Sequence, residues 1–114
     1  MITLYHNPRC SKSRQALALL QERGIEPAIR LYLENPPTTA ELKKLLAQLG
    51  IGPRQLLRTG EDAYKELNLK DERLSDAALI KAMTAHPKLI ERPIAIKTDR
   101  AVIGRPPENV LALL

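Results

Sequence analysis

The sequence holds one thiol, Cys10, in the stretch His6-Asn7-Pro8-Arg9-Cys10-Ser11-Lys12-Ser13-Arg14. A lone cysteine excludes an internal disulfide and any cysteine-rich zinc site, which leaves the chemistry of a single nucleophile. Arg9, Lys12 and Arg14 lie within four positions of it, whereas the first acidic residue is Glu22. Free cysteines are usually buried and inert, but flanks this polar and basic do not suit a core position. At the start of a helix and beside positive charge, a thiol is stabilised as the thiolate by unpaired N–H groups and the helix dipole. The same helix terminus attracts anions.

Two familiar thiol sites do not fit. Cys10-Ser11-Lys12-Ser13 lacks the second cysteine of a C-x-x-C pair, so the chain offers no resolving thiol, and Ala16 stands where a phosphatase-type C-x5-R loop needs arginine. An anion at Cys10 must then be held by cations brought in by folding. Arg58, Arg92 and Arg105 each stand at a break between elements: before Thr59-Gly60, before Pro93, and between Gly104 and Pro106. Taken singly, each reads as a surface arginine. His6, four residues before Cys10, is placed to perturb its ionisation or to shuttle a proton, or to sit in the loop with no role. His86 is the only other histidine, so no metal site is expected.

The elements that must position these residues follow from the pattern. Ile2-Thr3-Leu4-Tyr5 reads as a strand ended by His6-Asn7-Pro8, and residues 10–23 as a helix closed by Gly24. Residues 28–33 read as a second strand, stopped by Asn35-Pro36-Pro37, giving a βαβ unit with a parallel pair. Thr38-x-x-Glu41 is a capping box ahead of Leu42, Leu45, Leu46 and Leu49, an i, i+3, i+4, i+7 stripe ended by Gly50. Shorter helices are predicted at 53–57, 61–67 and 75–85. Beyond His86-Pro87 the pattern turns extended, with strands at 94–97 and 101–103 flanking a turn at Thr98-Asp99-Arg100. A short helix is predicted at 108–114, with proline near its first turn.

The chain has 114 residues, 44% of them apolar, with 18 Lys plus Arg against 13 Asp plus Glu for a net charge of +5. That suits one α/β domain over 1–114 with a helical insertion at about 38–86. The order β-α-β, helical block, β-β-α implies a thioredoxin-like fold with a mixed sheet, in which Pro93 takes the place of a cis-proline. No apolar run approaches a membrane span, and no signal segment opens the chain. With no Phe, no Trp and only three Tyr, base-stacking surfaces are poorly supplied, so neither nucleic acid nor membrane is an expected partner. A lone thiol in a leaderless chain is expected in the cytoplasm.

The segment Tyr5 to Arg14 closely resembles the active-site segment of glutaredoxin-dependent arsenate reductases of the ArsC type. Leu31-Tyr32-Leu33-Glu34-Asn35-Pro36-Pro37-Thr38, Leu56-Leu57-Arg58, Arg92-Pro93-Ile94 and Gly104-Arg105-Pro106 resemble further blocks of that family, in order along nearly the whole chain. Ser11-Lys12 departs from the smaller Gly-Thr common there, and longer members continue beyond the position of Leu114. The resemblance implies an oxidoreductase that reduces arsenate to arsenite. Cys10 would be the nucleophile and His6 the modulator of its ionisation, with Arg58, Arg92 and Arg105 clamping the oxyanion and Asn7 and Ser13 contributing to substrate binding. It also implies glutathione as co-substrate and glutaredoxin as partner, with no bound cofactor. Two rivals share the fold: a monothiol glutaredoxin-like transferase, which needs a glutathione groove rather than three arginines, and a non-catalytic regulator of the Spx type. Ser13, in place of a second cysteine, argues against the redox switch of such regulators.

Overall fold

The computed structural model describes residues 1–114. Its contacts divide the chain into two compact units, one made of Met1–Asn35 with Arg92–Leu114 and the other of Pro36–Glu91.

The first unit is built on a four-stranded mixed sheet. Strand β1 (Ile2–Tyr5) pairs in parallel with β2 (Ala28–Arg30) and antiparallel with β3 (Ile94–Lys97), which pairs antiparallel with β4 (Arg100–Ile103), for the order β2-β1-β3-β4. Helix α1 (Ser11–Glu22) makes the crossover between β1 and β2. Its buried residues Ser13, Ala16 and Leu20 fall at i, i+3 and i+7 and so share one face. Ala16 and Leu20 pack into a core with Ile2, Leu4, Ala95, Val110 and Leu113, the last two from a 3₁₀ helix at Pro107–Leu113. Gly24 ends the crossover in the left-handed region at φ 77°, as its type predicts. The β-α-β segment followed by a β-hairpin and a terminal helix over one mixed sheet is a thioredoxin-like fold, and the Arg92–Pro93 peptide is cis, as that fold implies. The Arg105–Pro106 peptide is cis as well, which the sequence did not suggest.

Strand β2 is shorter than its predicted 28–33. After Arg30 the chain turns: Leu31 O accepts from Glu34 N and Asn35 N, and the Arg30 Nε–H donates to Asn35 O at 3.0 Å. The turn places Tyr32, fully buried, against the Tyr5 ring at a centroid distance of 6.2 Å, with the Arg30 guanidinium 5.4 Å from the Tyr5 centroid.

The second unit is helical. Helix α2 (Thr39–Leu49) begins with the predicted capping box, Thr38 accepting from Glu41 N while Glu41 accepts from Thr38 N, and ends at Gly50 with φ 70°. Helices α3 (Pro53–Leu56), α4 (Asp62–Glu66) and α5 (Asp76–Ala85) follow, α5 capped by Ser75, and then a 3₁₀ turn at Pro87–Leu89 in place of the extended chain predicted there. Leu42, Leu45, Leu46, Leu79, Ile80 and Met83 are its buried residues on α2 and α5. One backbone pairing joins the segment after α3 to the C-terminal end of the unit: Leu57 and Ile90 form an isolated antiparallel bridge, with Arg58 N donating to Leu89 O at 2.8 Å and Glu91 N to Leu56 O at 2.9 Å.

No helix is long and apolar enough to cross a membrane.

Candidate active site

Cys10 is the N-cap of α1, in extended conformation at φ −93° and ψ 122°. Its own N–H folds back onto Asn7 O at 2.9 Å, and its carbonyl accepts from Arg14 N at 3.0 Å to start the helix. The first turn of α1 holds no acidic residue; Lys12 and Arg14 stand there instead. Cations at that end work against the helix dipole, an arrangement that an incoming anion relieves.

The loop leading to Cys10 is folded by its own polar groups. Asn7 Oδ1 accepts from Arg9 N at 3.1 Å, an Asx turn, and Arg14 Nη1 donates to Pro8 O at 2.9 Å. Ser13 is wholly buried, and its hydroxyl accepts the Asn7 N–H at 3.0 Å and lies 2.6 Å from His6 Nδ1. Both the Ser13 hydroxyl and the Asn7 side-chain oxygen therefore brace the loop. Burial holds His6 below its ordinary pKa of 6.5, and the charge of Arg14 pushes the same way. The imidazole is neutral at pH 7 and acts on the loop as a hydrogen-bonding group, without adding a charge.

Arg105 reaches this loop from 95 positions away: its Nη2 donates to Cys10 Sγ at 3.7 Å, and its Nε donates to Arg92 O at 2.8 Å. Arg92, half-buried, enters the arrangement through that carbonyl. The two segments are tied by Gly104 N donating to Pro93 O at 2.8 Å, and Asn109 Nδ2 donates to Arg105 O at 3.0 Å. Gly104 is required by the close approach: a Cβ there would stand 2.8 Å from Pro93 Cγ and 3.1 Å from Val110 Cγ1. A cavity of about 290 Å³ opens between the His6–Arg9 loop and Leu31, Leu33 and Glu34. Cys10 is not one of its walls; the thiol faces Arg105.

Arg58 lies in the second unit. Its Nη1 donates to Glu91 Oε1 at 3.1 Å, and its Nε is 3.6 Å from Glu61 Oε2. Neither carboxylate was singled out from the sequence, although Glu91 immediately precedes Arg92. Gly104 was noted only as a breaker. No three His, Cys, Asp or Glu side chains gather as a metal site would require.

The arrangement within the first unit is a thiol sulfur at a helix N-terminus with a guanidinium N–H against it, a combination suited to attack on an anionic electrophile. The comparisons with known proteins point the same way. The ArsC family model matches residues 5–113. The chain is 55% identical to Escherichia coli protein YfgD, described as uncharacterised, over 99% of this chain and 96% of that one. It is 52% identical to an arsenate reductase of Haemophilus influenzae, over 99% of this chain and 98% of the relative. The solved structure of an arsenate reductase from Vibrio cholerae superposes with a TM-score of 0.97 at 54% identity, covering 99% of this chain and 97% of the other. A match of this length and identity, on a chain that sets its one thiol at a helix start against a distant arginine, shows that the chain belongs to the ArsC family.

Proposed function

We propose that this protein reduces arsenate to arsenite through Cys10, with glutathione and a glutaredoxin as external reductants. The observation that carries the reading is the Arg105 Nη2 contact with Cys10 Sγ, which holds a fixed cation beside the only thiol. Arginine suits the task because its planar fork stays charged and matches tetrahedral oxyanions. The arsenate reductases named among the relatives supply the substrate class.

The Cys10 thiolate attacks arsenic(V), forming an S–As bond as an oxygen leaves as hydroxide or water. Arg105 and Arg92 neutralise the charge, and Arg58 is assigned to oxyanion binding by its match to the family block. Glutathione then attacks the cysteine sulfur. The S–S bond forms, the S–As bond breaks, and its electron pair goes to arsenic, which leaves as arsenite. Cys10 is now a mixed disulfide with glutathione. Met1 and Met83 are thioethers, so nothing else in the chain can resolve it. A glutaredoxin thiol attacks the glutathione sulfur and returns Cys10 to the thiol. A second glutathione attacks the resulting glutaredoxin–glutathione disulfide, freeing the glutaredoxin thiol and leaving as glutathione disulfide, so two glutathione thiols are oxidised for each arsenate reduced.

The test is arsenate-dependent NADPH oxidation with glutathione, glutaredoxin and glutathione reductase present. Multiple turnovers are expected in the full system and none with thioredoxin alone. Cys10→Ser should abolish turnover while keeping the fold. Sustained turnover by Cys10→Ser, or by the wild type without added thiol, overturns the mechanism. An inactive full system that still deglutathionylates a small disulfide substrate would transfer the function to the thiol-transferase class.

A further inference from the structure

Arg58, the arginine assigned above to oxyanion binding, holds carboxylates in the structure. The pairing is dictated by the backbone. The Leu57–Ile90 bridge, flanked by Arg58 N to Leu89 O and Glu91 N to Leu56 O, makes Arg58 and Glu91 diagonal neighbours across a two-stranded antiparallel contact. Residues on either side of a bridged pair project to the opposite face from it, so Arg58 and Glu91 share a face. Diagonal neighbours are within reach of long side chains. The result is the 3.1 Å contact from Arg58 Nη1 to Glu91 Oε1. Glu61, three residues on, adds a looser contact at 3.6 Å to Nε. Both side chains of the Arg58–Glu91 pair are partly shielded, with relative exposures of 23% and 28%, so water screens the pair less than a rim salt bridge.

We propose that Glu91 is a specificity-determining residue for the oxyanion: it occupies the Arg58 guanidinium in the resting protein, and the oxyanion takes that guanidinium only by displacing or repelling the Glu91 carboxylate. This rests on the assignment of Arg58 to oxyanion binding. The bridge holds the Glu91 backbone beside Arg58, so a carboxylate displaced from the guanidinium stays near it and its charge opposes the ligand. The net attraction of Arg58 for the oxyanion is then reduced, and because the repulsion from Glu91 grows with the anion's charge, the preference of Arg58 for a multiply charged anion over a weakly charged one is narrowed. Glu91 acts through Arg58 and touches no reacting atom, so it is a positioning residue.

The test measures arsenate affinity by titration calorimetry in the Cys10→Ser protein, alongside KM and kcat in the active protein. Glu91→Gln keeps the shape and an acceptor oxygen for Arg58 while removing the charge. It should tighten arsenate binding by roughly three- to ten-fold, the range expected for one partly shielded ion pair. KM should fall by a similar factor, with kcat moving less. Glu91→Asp restores the charge and should hold the affinity near that of the parent. In the Arg58→Gln protein, adding Glu91→Gln should bring far less gain, because the shared guanidinium is gone. A thermal unfolding midpoint for each variant separates affinity from folding. If Arg58→Gln weakens arsenate binding but Glu91→Gln leaves it unchanged or weaker, the role of Glu91 is overturned and Arg58 keeps its assignment. If Arg58→Gln itself leaves the affinity unchanged, Arg58 is no oxyanion ligand and both fall together.

Discussion

Two arginines assigned to the same substrate are held in opposite ways. Arg105 divides its guanidinium between a backbone carbonyl, Arg92 O, and the sulfur of Cys10. Arg58 divides its own between two carboxylates, Glu91 and Glu61. On the proposed assignments, an oxyanion at Arg105 meets the sulfur it is to react with, whereas at Arg58 it meets the carboxylates of Glu91 and Glu61. The lesson is that an arginine's identity and place in a motif do not set its strength as an anion ligand. The partners that orient it do, and those partners come from the backbone register around it. On this view Arg105 is bound to the chemistry, and Arg58 tunes which anion is accepted.

The sharpest way to break the comparison is Arg105→Lys. Lysine keeps the charge but cannot bridge Arg92 O and Cys10 Sγ with one planar group. We expect kcat/KM for arsenate to fall by about 100-fold or more, in the range for losing a preorganised donor at a developing charge. A loss within about three-fold would mean that a point charge suffices there, and the distinction between the two arginines would collapse.

Gly104→Ala attacks the same arginine through its support. The added methyl meets the Pro93 ring at 2.8 Å and Val110 at 3.1 Å, and a proline ring cannot swing aside. Overpacking of this kind costs about 1–3 kcal/mol, visible as a lower urea midpoint with unchanged slope. Activity should fall further than stability, because the Arg105 segment is what must shift. Gly60→Ala is the control, since nothing lies within 4 Å of a Cβ there. Equal effects from the two would remove Gly104 from the site.

Ser13→Ala tests the bracing on the thiol side. It removes one buried hydroxyl from the Asn7 N–H and from His6 Nδ1 without adding volume. Leaving buried polar groups without a partner costs about 1–3 kcal/mol, and this site should lie at the lower end because Asn7 is only half-buried. The rate of Cys10 alkylation by iodoacetamide should change with it, as the loop that fixes the helix start relaxes. An unchanged midpoint and an unchanged rate would show that the loop is held without Ser13.

What was legible in the sequence follows from the range of each interaction. The α2 capping box, the glycine ends of α1 and α2, the Ser75 start of α5 and the β3–β4 hairpin are local signals, and each element formed where its residue types direct. The cis Arg92–Pro93 peptide was legible only through the fold as a whole. Strand β2 ended early because Leu31 O captures Glu34 N and Asn35 N, a turn that a run of β-formers conceals. The 3₁₀ turn at Pro87–Leu89 is too short to show a period. The Leu57–Ile90 bridge joins single residues 33 positions apart, so the Arg58–Glu91 pair that depends on it left no trace in the pattern. The thiol, its cationic flanks and the three arginines were visible as residue types. The work of Ser13 and Asn7 in folding the loop was not, since the sequence shows that a hydroxyl is present but not which way it faces.

The smallest expected effect separates the two regions by pH. His6 carries a lowered pKa because it is buried, with Arg14 contributing, while the Arg58 cluster is bound by charge. The sign follows from proton counting. Below the ordinary value of 6.5 the unfolded chain protonates its histidine before the folded protein does, so the unfolded state binds more protons and gains. The stability tied to neutral His6 is complete above about pH 6.5 and is lost as pH falls through the lowered folded value. Urea midpoints taken between pH 7.5 and 5.5, above the range where most carboxylates titrate, should decline in the wild type and decline less in His6→Gln. Raised salt should weaken the Arg58–Glu91 pair and barely alter this acid limb, because desolvation rather than long-range charge is its main cause. An equally steep decline in His6→Gln would remove the burial of His6 as its source, and a limb abolished by salt would show that Arg14 dominates.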